Sequence, residues 1–325
     1  MPPSRISPSP LQSPRHSPSW VQRHLPWLYS FWKFSRPHTI IGTTLSVFSL
    51  WVIAIASSSN TGLPPSASLL RVLAAWLTCL CGNVYIVGLN QLYDVEIDQM
   101  NKPHLPIASG EFSPNIGRII VFLTGLLALV ASLIQGHFLM WTVWLSLAIG
   151  TAYSLPPIRL KRFPFWASIC IFTVRGVIVN IGLFLHFRDG LNQPTIVTPE
   201  VWTLTAFVLV FTFAIAIFKD IPDLEGDRRY NITTFTVKLG IHTVFKLARW
   251  VLTICYGGMI LASFSLPSIN TGLIVVSHSL AIGTIWLLSR RVNLRQKQSI
   301  ADFYQFIWKL FFLEYILFPI ACLLA

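Results

Sequence analysis

Val87-Gly-Leu-Asn-Gln-Leu-Tyr-Asp-Val-Glu-Ile-Asp98 ends a long apolar run in an abrupt line of carboxylates. Asn90, Asp94 and Asp98 stand at i, i+4 and i+8, so a continuous helix sets them on one face. A second stretch, Asp220-Ile-Pro-Asp-Leu-Glu-Gly-Asp227, follows another apolar run and spaces Asp220, Asp223 and Asp227 at i, i+3 and i+7. Pro222 and Gly226 predict that the helix there ends and restarts. Of the 12 acidic residues in the chain, Asp94, Glu96, Asp98, Asp220, Asp223, Glu225 and Asp227 lie in these two stretches. Like charges held this close repel one another, and a bound cation resolves the conflict. Oxygen-only donors suit magnesium, with Asn90, Asp94, Asp98, Asp220, Asp223 and Asp227 as the candidate ligands. Asn90 to Asp98 spans ~12 Å of helix, whereas a magnesium–oxygen bond is ~2.0–2.1 Å. The line therefore fits two ions, or one ion with bridging water.

The rest of the chain fixes the setting. It is 54% hydrophobic and 11% charged, against about 25% charged for a soluble domain. That predicts an all-α, multi-pass membrane protein. Crossing a ~30 Å hydrocarbon core takes ~20 apolar residues. Nine spans fit, near 38–56, 69–91, 116–135, 138–154, 165–187, 200–219, 244–264, 271–289 and 304–324. The net charge of +12 reflects topology rather than nucleic-acid binding. Of the 24 Lys and Arg, only Arg71 and Arg188 fall on the side opposite the acidic stretches, and Arg175 and Lys309 fall inside spans. The positive-inside rule then turns the N-terminus and both acidic stretches to the cytoplasm, or to the stroma of a plastid. Residues 1–26 carry seven Pro, six Ser, three Arg and no acid, and read as a disordered tail or an organelle transit peptide. Residues 27–325 read as one transmembrane domain. Trp20 to Phe34 reads as an interfacial helix. None of the five cysteines has a zinc or redox Cys-x-x-Cys spacing, so they read as packing thiols.

Several further polar residues are candidates for substrate contact. Lys102, in a loop stiffened by prolines, either sits beside phosphate oxygens or sets topology. Tyr153 and Ser154 lie where span four meets the acidic side, and Pro156-Pro157 stops that span. Arg159 and Lys161 follow, as anion ligands or topology signals; Lys219 precedes the second acidic stretch. Arg175 and Asn180 lie within span five, where polar groups are expensive and a functional role is the default reading. Arg175 is expected either to pair with the acidic clusters or to grip an anionic substrate. His38 and Thr39 read as anchors of span one, and Ser277-His278 as a satisfied polar pair in span eight. Spans three and four, joined at Gln135-Gly-His137, read as an antiparallel hairpin. The equal spacing of Asp94/Asp98 and Asp223/Asp227 resembles an internal duplication.

Two acidic lines with magnesium can hold a diphosphate, and an apolar cavity between helices suits an isoprenoid tail. The chemistry predicted is ionisation of an allylic diphosphate and capture of the carbocation by an electron-rich acceptor. A cation-coupled transporter is the competing class, weakened because the acids gather at one membrane face.

Asn90-x-x-x-Asp94-x-x-x-Asp98 and Asp220-x-x-Asp223-x-x-x-Asp227 resemble the paired motifs of UbiA-type intramembrane prenyltransferases. The resemblance covers about residues 30–325 and implies nine transmembrane helices around a central cavity, with Mg2+ as cofactor. Phe31-Trp-Lys-Phe-Ser-Arg-Pro-His-Thr-Ile-Ile-Gly-Thr-Thr44, Gly82-Asn-Val-Tyr-Ile-Val-Gly-Leu-Asn-Gln-Leu92, Thr173-Val-Arg-Gly176 and Ala301-Asp-Phe-Tyr-Gln-Phe-Ile-Trp-Lys-Leu-Phe-Phe-Leu-Glu-Tyr315 resemble the homogentisate-prenylating branch of cyanobacteria and plastids. That branch implies phytyl diphosphate and homogentisate as substrates in a thylakoid, plasma or plastid membrane, on the route to tocopherols. Solanesyl or geranylgeranyl diphosphate as donor, or chlorophyllide as acceptor, are the alternatives within the family. Many relatives outside this branch carry Asp directly after the motif's Asn, where this chain has Gln91.

Overall fold

The computed structural model describes residues 20–58, 65–222, 224 and 234–325. The tail at 1–19 and the acidic residues Asp223, Glu225 and Asp227 lie outside them. Among the described residues every regular element is helical. Where a single interfacial helix was expected, the chain forms two short helices, α1 (Trp20–His24) and α2 (Pro26–Phe34). They expose Trp20, Trp27 and Trp32, the amphipathic aromatics that favour a membrane interface.

The long helices follow: α3 (Pro37–Ala56), α4 (Pro65–Tyr93), then the short α5 (Val95–Asn101), α6 (Pro114–Ile134) and α7 (His137–Ser154). The fifth span combines α8 (Pro164–Ile171), a π-helical segment (Phe172–Ile178) and α9 (Val179–Gly190). The remainder are α10 (Pro199–Lys219), the short α11 (Phe235–Leu239), α12 (Ile241–Ser263), α13 (Thr271–Ser289) and α14 (Lys297–Leu323). Proline opens α2, α3, α6 and α10, where its missing N–H costs nothing.

Eight of these segments are long and apolar enough to cross a membrane. The ninth expected span is α7, which is 18 residues long and diluted by His137, Trp141, Thr142, Trp144 and Thr151. The hairpin expected between spans three and four is present: α6 and α7 pack together across Gln135 and Gly136. The chain is an integral membrane protein. Its outward faces carry exposed Phe122, Leu127, Ile134, Leu261 and Leu280. In water such a surface would aggregate, but in a bilayer it is matched by lipid.

Each long helix packs on the next in the chain, and α14 closes back on α3, giving a ring. Lipid tails are as apolar as leucine, so helix association relies on close packing and small residues. Gly182 shows the requirement: a Cβ there would meet Thr142 Oγ1 at 1.9 Å, so only glycine lets α9 approach α7 this closely.

Candidate active site

The first acidic stretch is not one continuous helix. The helix α4 ends at Tyr93, and Asp94 (φ −120°, ψ 18°) forms the joint before α5. The expected single helix face is therefore broken, yet the line survives because hydrogen bonds cross the joint. Asn90 Nδ2 donates to Asp94 Oδ2 at 3.0 Å, and the Asp98 N–H donates to the Asp94 carbonyl at 2.7 Å.

Three cations converge on this line. Arg159 Nη2 lies 3.1 Å and Lys161 Nζ 2.6 Å from Asp94 Oδ1, and Arg159 also donates to the Tyr93 carbonyl at 3.0 Å. Arg36 Nη2 donates to Asn90 Oδ1 at 3.0 Å and lies 3.9 Å from Asp98 Oδ2. Arg159 and Lys161 were expected from their place after span four; Arg36 was not. Its signal was the Arg36-Pro37 pair that opens α3, where the proline starts the helix.

Arg36 (φ 53°) and Arg159 (φ 39°) both occupy the left-handed region that non-glycine residues avoid. Such conformations cost about 1–3 kcal/mol each and persist where the surroundings over-determine them. Here they aim two guanidinium groups at one carboxylate line.

Burial holds the Asp98 carboxyl above its ordinary range, against the opposing pull of Arg36 and Lys102. Burial likewise holds the Lys161 ammonium below its ordinary range, although Asp94 works the other way. Asp98 Oδ2 is buried without a hydrogen bond. An orphaned carboxylate oxygen within an all-oxygen donor set fits a hard divalent cation. Among the described residues no three His, Cys, Asp or Glu side chains gather into a complete metal cage. Asp223 and Asp227 are outside those residues.

The second line is described only at its start. The helix α10 ends at Lys219, before Pro222, as the sequence predicts, and Asp220 caps it half-buried. An aromatic stripe on α14 spans the gap toward the first line. Tyr304 stacks on Phe218 (5.8 Å, 6°), Trp308 lies 6.3 Å from Tyr304, and His38 lies edge-on 5.4 Å from Trp308.

Other expected residues fall as follows. Lys102 ends α5 beside the first line, and Tyr153 is half-buried one residue before the end of α7. Thr39 is an anchor, donating to the Arg36 carbonyl and accepting from Asn83. Gln91 is 1% exposed and donates to the Phe34 carbonyl at 2.7 Å, with its Oε1 buried and unpartnered among the described residues. An aspartate could not donate there, so Gln91 secures α2 through its Nε2. Arg175 makes no ion pair with a described carboxylate, so the expected pairing with the acidic clusters is absent among the described residues. It lies over the rings of Trp308 and Phe311. His278 bonds Ser277 as expected and also meets Glu314 across the helices at 3.3 Å. Sequence spacing gave no sign of that partner, because the two residues stand on different helices.

A ring of membrane-length helices with carboxylates and cations gathered beside one another defines a membrane-embedded protein with a charged site between its helices. The match to the UbiA prenyltransferase family over residues 45–310 makes it specific: the chain belongs to that family. It is 54% identical to homogentisate phytyltransferase of Synechocystis sp., over 90% of this chain and 96% of that one. It is 40% identical to the chloroplastic homogentisate solanesyltransferase of Arabidopsis thaliana, over 89% of this chain and 75% of that one. The fold matches that of a UbiA homolog from Archaeoglobus fulgidus bound to GPP and Mg2+. The TM-score is 0.60 at 17% identity, covering 91% of this chain and all of the other. Family membership sets the transporter reading aside.

Proposed function

We propose that the chain transfers the phytyl group of phytyl diphosphate to homogentisate, releasing diphosphate and carbon dioxide and forming 2-methyl-6-phytylbenzoquinol. The observation that carries this reading is the cation-ringed line Asn90-Asp94-Asp98, in a chain 54% identical to a phytyltransferase along nearly its whole length. Asn90, Asp94 and Asp98, together with Asp220, Asp223 and Asp227 of the second line, would hold Mg2+. Bound magnesium supplies charge neutralisation on the phosphate oxygens of the leaving group.

The chain's own residues do the rest. Arg36, Arg159 and Lys161 turn from the carboxylates to the diphosphate oxygens, with Lys102, Tyr153 and Lys219 at the same rim. Fixed cations there favour the charge that builds on the diphosphate as its bond to the allylic carbon breaks. Tyr304 offers a π-face to the allylic cation. The hydroquinone ring attacks that carbon, the ring gives up its proton, and the side chain loses carbon dioxide and takes up a proton to become a methyl group. Apart from binding, the enzyme contributes position and electrostatics, without a covalent intermediate.

The test is product analysis of the purified protein with homogentisate and a panel of phytyl, geranylgeranyl and solanesyl diphosphates, with chlorophyllide as a competing acceptor. Phytyl transfer that stops on chelation and returns with Mg2+ is expected. The 40% identity to a solanesyltransferase makes the longer donor the second reading. Preferential solanesyl transfer would replace the first.

The rim faces the cytoplasm or stroma, as the basic asymmetry of the sequence implies. Single cysteines introduced at positions 100 and 230 are expected to react with an impermeant thiol reagent from one and the same side. Labelling from opposite sides would refute the shared rim.

A further inference from the structure

Arg175 is the one cation that sequence reasoning made functional and the diphosphate rim does not use. It sits in the π-helical segment Phe172–Ile178, a form that concentrates at functional sites. The segment is pinned. Asn180 Nδ2 donates to the Gly176 carbonyl at 2.9 Å, and Tyr315 Oη donates to Asn180 Oδ1 at 3.0 Å. Asn180 is fully buried and Tyr315 nearly so, so α14 locks the segment in place. Gly176 permits the bulge to pack on α10, since a Cβ there would meet Leu209 Cδ2 at 2.4 Å. The polar cost of Asn180 is thus met inside the protein, whereas among the described residues Arg175 has ring contacts and no ion pair. The Arg175 guanidinium lies 5.1 Å from the Trp308 ring centre and 5.6 Å from that of Phe311. Ring faces satisfy its charge in part and leave its N–H groups for a planar anion. His38, which remains exposed, approaches the same Trp308 ring edge-on at 5.4 Å. One indole, one imidazole and one guanidinium therefore converge beside the diphosphate rim. A ring bearing a carboxylate and hydroxyl groups matches all three.

We propose that Arg175, His38 and Trp308 form the subsite for the aromatic acceptor, with Arg175 taking its carboxylate. Asn180 and Tyr315 are positioning residues that hold Arg175 in the bulge. The inference rests on the acceptor reading given above and adds to it the residues that select a carboxylated ring. Arg175→Lys keeps the charge and loses the two-point fork. It is expected to raise the KM for homogentisate at least ~10-fold, the scale of one charge-assisted pair. The KM for phytyl diphosphate stays within about twofold, because that substrate is held by other cations. Inhibition by methylhydroquinone, a ring without the carboxylate, is expected to be unchanged by Arg175→Lys and weakened by His38→Gln. Tyr315→Phe is expected to raise the homogentisate KM several-fold, again without moving the donor constant. A rise for the donor alone, or an equal rise for both substrates, would overturn the subsite, as would unchanged constants in both Arg175→Lys and His38→Gln. Should Arg175→Lys fail to elute as a folded species, His38→Gln carries the test by itself. A wild-type chain inert toward homogentisate would overturn the acceptor reading and the subsite with it. An active wild type with unaltered variants overturns the subsite alone.

Discussion

Asp94→Ala lowers turnover at least ~100-fold, the loss that follows when one strong electrostatic stabiliser is removed. Asp94 is the hub of the described site. Its Oδ1 faces Arg159 and Lys161, and its Oδ2 accepts from Asn90. Removing the carboxylate strips the proposed metal site of a ligand and leaves two partly buried cations without their counter-charge. The second effect alone can cost several kcal/mol of stability. Asp94→Asn therefore accompanies it: the isosteric amide keeps the packing and removes the charge. The measurement is turnover of both variants as monodisperse protein across a magnesium titration. Both are expected to stay slow at saturating magnesium, and Asp223→Ala is expected to match them from the opposite line. Normal turnover in any one of the three, once folded, would sink the two-line metal site.

Arg36→Gly separates activity from stability. The arginine holds a left-handed backbone at φ 53° while donating to Asn90 and approaching Asp98. A left-handed conformation costs an L-residue about 1–2 kcal/mol, which glycine avoids. Glycine in turn adds about 0.5–1 kcal/mol of unfolded-chain entropy. The two backbone terms nearly cancel, so a fall in the thermal midpoint in detergent reports the lost contacts to Asn90 and Asp98, and it is expected to be smaller than that of Asp94→Ala, which strands two cations. Turnover is expected to fall between ~10- and ~100-fold, because a charge-assisted contact at the reacting head group is lost. Arg159→Gly, at φ 39°, follows the same pattern. Unchanged turnover would show that Arg36 is only a helix start. A parallel collapse of midpoint and turnover would show that it is structural.

Composition and spacing were enough for the membrane setting, the all-helical fold, the hairpin at Gln135-Gly136 and the line Asn90-Asp94-Asp98. These are local properties. A span is long enough or too short by its own residues, and carboxylates one turn apart announce themselves in any helix. The end of α10 before Pro222 was legible for the same reason, since proline acts on its own backbone. The break at Asp94 was not, because the sequence around it continues a good helical pattern and the joint is held by Arg159 and Lys161 from a different loop. Gln91 looked like a lost ligand and proves to be a tie to the Phe34 carbonyl, a partner 57 positions away. Asn180 and Arg175 carried equal weight as intramembrane polar residues. Only packing distinguished them, giving Asn180 a partner in Tyr315 and Arg175 two aromatic rings. Glu314 found His278 on a neighbouring helix. The sequence by itself determined which residues are costly in a membrane. The tertiary structure decided which of those costs are met internally, because a buried polar group is satisfied by whatever the fold places within about 3 Å of it, at any distance along the chain.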